Sequence, residues 1–370
     1  MTDDLITLVL VGDLVLDEPD PGMWLSGIAP ALHEADLAIG HLEVPHTDCT
    51  DEVGGDVPSP GAPPENLAAL ADAGFAVVSL AGNHIADCGP GGIADTIAGL
   101  DAVDIAHAGA GLDLAEARRP AVATVKGMRI ALLSYNCVGP QFGWAAPGRA
   151  GCAYLPLETS DGGPVTPRSE IAGISAEAFA ILAEDIAAAS GEADLVLVAM
   201  HKGRVHTPAV LEAYERPLAQ AAIDLGADAV IGHHAHIARG IEFHRGKPIF
   251  HGLGNGCVVT RALSPAQDHP ARREWAERRK QLFGFEPDPA YSLAPFHPEA
   301  RQAILGRLEI ARDLTLSASI VPVWVEPPGR PVLAGGARAN QVSRYLERIT
   351  VAAGLQPISV SETGQVTLAA

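Results

Sequence analysis

Apolar runs about one strand long recur along the chain, and most of them end in a polar cluster. Ile6–Val11 runs into Gly12-Asp13, Leu37–Ile39 leads to His41-Leu42-Glu43, and Phe75–Leu80 runs into Gly82-Asn83-His84. Arg129–Tyr135 ends in Asn136-Cys137, Leu195–Met200 in His201-Lys202-Gly203, and Ala227–Ile231 in Gly232-His233-His234-Ala235-His236. Lys247–Phe250 leads to His251-Gly252-Leu253-Gly254-Asn255. Between several of these runs lie helical patterns: residues 64–73 with proline near the start, Ser175–Ala189 with Ser175 and Glu177 in its first turn, and Val210–Leu225 with apolar residues near a 3.6 period. Strand–helix alternation with strands rich in Val, Ile and Leu predicts an α/β sandwich with buried sheets. In such folds ligands gather at the carboxyl ends of strands, where these polar clusters fall.

Two segments break the rhythm. Residues 139–170 are rich in Gly and Pro without periodicity and read as a long loop. Residues 262–300 hold a charged helical stretch, Pro270–Leu282, then FGFEPDPAYSLAPFHPEA, and read as a lid-like insertion. The tail reads as a helix, Gln341–Ala353, and two short strands, Ile358–Val360 and Gln365–Ala369. There is no internal repeat. The expected organisation is a single domain over 1–370, with a core at 5–256, the insertion at 262–300 and a C-terminal helix and strands over 301–370.

Composition narrows the class. Hydrophobic residues are 48% and charged residues 19%, which supports a substantial core and argues against disorder. The net charge of −20 disfavours a nucleic-acid partner. The five cysteines are scattered, with no CxxC pair, so a disulfide framework is not expected and a reducing compartment fits. The N-terminal stretch MTDDLITLVLVGD has acids where a signal peptide needs bases, and its apolar run is too short to span a bilayer. The expectation is a cytoplasmic protein with no membrane partner. Oligomeric state leaves no mark.

Taken together, Asp13, Glu43, Asn83, His84, His201, His234 and His236 form a mixed oxygen and nitrogen donor set. It suits one or two divalent ions such as Mn, Zn or Fe, and does not suit copper(I) or iron–sulfur, which want thiolates. Each residue alone has a plain structural reading, such as a turn aspartate or an Asn cap. Their order along one α/β chain is the stronger signal. On an extended segment His234 and His236 would face one locus and His233 would point away.

That order, GD … LE … GNH-x-x-D-x-G … H-x-G … GHH-x-H … GKPIFHGLGN, resembles the CapA family of poly-γ-glutamate capsule proteins, a branch of the calcineurin-like metallophosphoesterase superfamily. Residues 80–89 (LAGNHIADCG) and 229–255 match closely, LLSYN at 132–136 looks like the family's central strand, and the likeness covers roughly 5–256. The resemblance implies a four-layer α/β/β/α sandwich. It implies that Asp13 and His236 hold one ion, that Glu43 bridges, and that Asn83, His201 and His234 hold the other. It puts His84 beside the site as a general acid or oxyanion stabiliser.

The chain departs from the pattern in places. The first motif lacks the usual Asp-x-His, reading Asp13-Leu14-Val15, so one metal position loses a ligand. His41 stands where Asn is common, a further ligand or substrate contact; Lys202 stands where Trp is common, and Gly256 where Phe is common. Lys202 and Arg204 could bind a substrate carboxylate or phosphate, with Lys202 also able to move a proton. His251 and Asn255 are expected to enter the substrate pocket, His206 is a further candidate, and His244 is expected at the surface. Arg239 and Glu242 are expected to orient the ligands. The expected function is metal-dependent hydrolysis of a small anionic ester or amide, phosphoester or glutamyl-type, through a metal-activated water. Two alternatives stand beside it: metal-assisted Cα proton transfer, as in an epimerase, isomerase or lyase, and a role in capsule poly-γ-glutamate biosynthesis.

Overall fold

A computed structural model describes residues 5–50, 52–53, 61–166, 169–263, 268 and 270–369. The acidic start at 2–4, residues 167–168 of the long loop, and residues 264–267 and 269 of the insertion lie outside the described residues.

The first sheet contains β1 (Ile6–Leu16), β2 (Leu37–Leu42), β3 (Phe75–Ser79) and β4 (Ala106–Ala108), joined in parallel. The second contains β5 (Ala121–Val125), β6 (Met128–Asn136), β7 (Leu195–His201), β8 (Ala229–His233), β9 (Ile241–His244) and β10 (Lys247–Phe250), in the order β9-β10-β8-β7-β6-β5. β6, β7, β8 and β10 are parallel; β5 and β9 are antiparallel edges. β11 (Asn255–Val259), β12 (Gln302–Ile310), β13 (Leu316–Glu326) and β14 (Arg330–Leu333) complete the first sheet. The antiparallel strands β12–β14 were not expected from the sequence. They extend the sheet well beyond the core anticipated at 5–256.

Alternation builds the layers. Along β1, Leu8 and Leu10 face the other sheet, while Val9 and Val11 face helices. Along β7, Leu195 and Leu197 turn inward, while Val196 and Val198 meet helices on the far side. Strands covered on both faces must be apolar at every position, which is why they read as unbroken runs. The helix layers are α1 (Leu67–Ala73) and α2 (Gly89–Ala102) outside the first sheet, and α3 (Ala176–Ser190) and α4 (Glu215–Asp224) outside the second. The four-layer α/β/β/α expectation holds. Two further helices are α5 (Pro270–Phe283), in the insertion, and α6 (Gly336–Ala352), which packs Val342, Tyr345 and Leu346 into the inter-sheet core.

Most predicted strands are extended by one to several residues, because pairing continues into the polar ends. α4 is shorter than the 210–225 pattern predicts. Its start is set by Glu215, whose carboxylate accepts the Glu212 backbone N–H and so closes the first turn. The loop at 139–170 is not wholly irregular: Leu157–Thr159 pairs with Ile171–Ile174.

Candidate metal centre

Asp13 lies inside β1, not at its end. The pairing register shifts between Asp13 and Leu14, and at that level Asp13 has His41 of β2 on one side and Asn255 of β11 on the other. Gly12 makes this possible. A Cβ there would sit 1.8 Å from the Gly254 carbonyl oxygen, so only glycine lets the 252–254 turn close on the strand. The Asp13 N–H donates to that same oxygen at 3.1 Å.

Two donor groups meet between the sheets. In the first, His236 Nε2 is 3.2 Å from Glu43 Oε1 and His236 Nδ1 is 3.5 Å from Asp13 Oδ2. Asn255 Oδ1 lies 2.9 Å from His236 Nδ1 and fixes the ring. In the second, His201 Nε2 is 2.7 Å from Asn83 Oδ1 and 3.0 Å from His234 Nδ1. One ring nitrogen supplies at most one hydrogen, so hydrogen bonding serves both contacts only by sharing it, whereas a cation would satisfy all three donors. His41 belongs here too: one donor atom each from Asp13, His41 and His201 lie within 4.8 Å of one another. Its Nδ1 is held by Ser79 Oγ at 2.9 Å, and its ring packs 4.7 Å from those of His201 and His233.

The donor set fits a divalent ion. Asp13 Oδ2, Glu43 Oε2, His41 Nε2 and His201 Nδ1 are buried without a hydrogen-bond partner among the described residues. Buried polar atoms are almost always paired, and such a concentration at one locus is what a cation would satisfy. Burial pushes Asp13 up to about 6, with the Glu43 charge adding to it. Burial would raise Glu43 as well, but the adjacent His236 outweighs it and holds Glu43 at about 2. Burial pulls His41 down to about 4 and His233 and His234 to about 3, so these rings are neutral and able to ligate. Against its burial, His236 is raised to about 9 by Glu43 and Asp13.

Several expectations need correction. His234 and His236 are not on an extended segment: β8 ends at His233, and both residues have positive φ, 84° and 52°. They converge through tight left-handed turns, not through strand alternation. His233 does not point away; its Nδ1 lies 3.5 Å from Asp13 Oδ1. His41 is too deeply buried to be a substrate contact and serves the ligand cluster. Lys202 is fully buried, with Nζ donating to Glu215 at 2.8 Å, so it is not free to meet substrate or move its proton. Arg204 points outward and pairs with Glu212. His251 faces Glu242 at 3.2 Å and Lys202 at 3.4 Å, away from the ligand cluster. His244 sits half-buried in its hairpin against Asp224, near the surface as expected.

Three features of the site carry weaker signals in sequence. Asp87 Oδ2 lies 2.6 Å from His84 Nδ1 and orients that ring; its place in GNH-x-x-D was visible, its role was not. Phe296 of the insertion stacks on His236 at 4.9 Å. Glu215 joins Lys202 to Arg239, at 2.8 and 2.9 Å, beneath both ligand-bearing loops. A lone acid in a helix, distant from both partners in sequence, offers no local pattern to find it by.

Residues 7–258 match the family described as bacterial capsule synthesis protein PGA_cap. The chain belongs to that family. Among curated relatives, it is 28% identical to the capsule biosynthesis protein CapA of Bacillus anthracis over 52% of this chain and 42% of that protein. It is 33% identical to a probable polyglutamine synthesis accessory protein of Mycobacterium tuberculosis over 52% of this chain and 47% of the relative. It is 26% identical to the PGA biosynthesis protein CapA of Bacillus subtilis over 72% and 68%. In the first two cases the chain spans less than half the length of the relative. Among solved structures, the calcineurin-like phosphoesterase YfkN from Bacillus subtilis is 12% identical, covering 94% of this chain and 99% of the other, with a TM-score of 0.40.

Proposed function

We propose that this chain is a metal-dependent hydrolase of a small anionic ester or amide, phosphoester or glutamyl-type. The observation that carries the reading is the convergence of buried carboxylate oxygens and imidazole nitrogens from Asp13 of β1, His41 of β2, Glu43 just past it, His201 at the end of β7 and His236 in the loop after β8. Asp13, Glu43 and His236 would hold one ion; Asn83, His201 and His234 a second, with His41 between them. When bound, a divalent ion would acidify water and polarise a carbonyl or phosphoryl oxygen. His84, held by Asp87, is suited to protonate the leaving group or steady a developing negative charge. Asn255 fixes the His236 ring from behind.

The same His84–Asp87 pair favours a second reading, Cα proton transfer without net hydrolysis, because a carboxylate-oriented imidazole can take a carbon-bound proton. The relatives named for capsule biosynthesis favour an accessory role in poly-γ-glutamate assembly. A cytoplasmic setting is supported by the free cysteines. Among the described residues, no helix is long and apolar enough to cross a membrane.

Elemental analysis of the purified protein, with Asp13→Ala and His234→Ala in parallel, tests the centre. Wild type should carry metal and both variants should lose most of it; full metal in both variants would sink the ligand assignment. With γ-glutamyl and phosphoester substrates, label from ¹⁸O water in product marks hydrolysis, and deuterium at carbon marks proton transfer.

A further inference from the structure

The arginine at position 279, on α5 of the insertion, is 2% exposed and has no acidic partner among the described residues. Its Nη1 donates to the Pro295 carbonyl and its guanidinium lies 4.7 Å over the Trp275 ring. Its Nε and Nη2 have no hydrogen-bond partner. Other arginines withdrawn from water here are paired: Arg118 with Asp185, Arg239 with Glu215. Burial pulls Arg279 down to about 10, with no neighbouring carboxylate opposing the effect. A buried, unpaired charge is costly.

Its surroundings place this charge near the candidate metal centre. The His206 ring sits 6.1 Å from His236 and edge-on to Phe283 and Phe285, at 4.8 and 5.0 Å. Arg279 is close enough for its charge to act on His206. Phe296, next in sequence to the carbonyl that Arg279 grips, stacks on His236. An open cleft lined by Asn255, Phe296, His297 and Arg301 among others shares Phe296 with this group.

Resting on the metal-centre reading, we propose that Arg279 receives the carboxylate or phosphate of the substrate, so that the insertion supplies anion recognition to the centre. The free Nε and Nη2 form one edge of the guanidinium fork, the edge that grips an oxyanion with two parallel hydrogen bonds. Surrounding rings keep water away and strengthen that contact.

Calorimetric titration of the manganese-loaded protein tests this, with inorganic phosphate as one probe and γ-glutamylglutamate as the other. Arg279→Met should weaken the better-bound probe by about tenfold or more, and Arg279→Lys should fall between. The stronger of the two probes identifies the oxyanion. The anion-free Arg279→Met protein should melt no lower than wild type, because an unpaired charge has gone; a purely structural arginine would lower the melting point. Should Arg279→Met fail to fold, wild type decides: the bound probe should change Trp275 emission, and Trp275→Phe should abolish the change. Affinity in Arg279→Met within about twofold of wild type, no binding of either probe to wild type, or binding that leaves Trp275 emission unmoved overturns the proposal. Manganese counted on the same samples keeps the two readings apart. Arg279-dependent binding to wild type that carries no metal would remove the metal centre and leave the arginine's role standing.

Discussion

Asn255 shows how a residue outside the ligand set can govern it. Its side-chain oxygen holds His236 Nδ1 at 2.9 Å and so turns Nε2 toward Glu43. Loss of such a partner typically weakens metal binding about 10- to 100-fold. Asn255→Ala should do so, measured by competition with a chromophoric chelator, while metal-free stability stays near wild type. At this scale much of the candidate site was legible. Glu43, Asn83, His201, His234 and His236 lie in short motifs at or just past strand ends, and Asp13 follows the apolar run of β1, so local pattern captures them. What pattern could not capture was direction. His233 faces Asp13 because β8 runs two residues further than its apolar stretch. Lys202 was misread because the carboxylate that claims it is on α4, and nothing local announces that pairing.

Elements impose their own demands, and β1 is the clearest case. Its apolar run was readable, yet the strand continues past Asp13 because β11 returns from far along the chain to pair with it. Gly12 is the joint. An alanine Cβ there would press on the backbone of Gly254, at 1.8 Å from oxygen and 2.8 Å from carbon, so the turn must move. Gly12→Ala should cost about 1–3 kcal/mol or more, read from urea unfolding, with metal affinity falling alongside. Gly22→Ala is the control: a Cβ there meets nothing within 4 Å, and stability should not fall. The strands β12–β14 escaped sequence reading for a related reason. β12 and β13 are long and only partly alternating, β14 is short, and the partner of β12, β1, lies some 300 residues upstream in order.

Across the whole molecule, a buried charge network ties the two sides of the site together. Glu215 on α4 binds Lys202, next to the candidate ligand His201, and Arg239, three residues past the candidate ligand His236. The carboxyl is held at about 2: burial opposes this, and Lys202 and Arg239 overcome it. A lowered pKa contributes stability that is whole above the ordinary value of 4.5 and is lost as pH falls toward about 2. Wild type should therefore weaken on acidification through that window, and Glu215→Gln should lack this part of the slope. At pH 7 the same variant, leaving two buried cations short of a partner, should be less stable by about 3–5 kcal/mol. Denaturant titrations at several pH values measure both.

One edge of β1 is shared end to end: Ile6–Leu10 pairs with β12, and Asp13–Leu16 with β11. The family match stops at 258, but the strand that bears Asp13 does not find all its neighbours inside that span. A protein trimmed there would bare a row of unsatisfied amides beside apolar side chains, an invitation to edge-to-edge aggregation. Size-exclusion chromatography of such a truncation should find soluble assemblies or precipitate, not a smaller monodisperse protein.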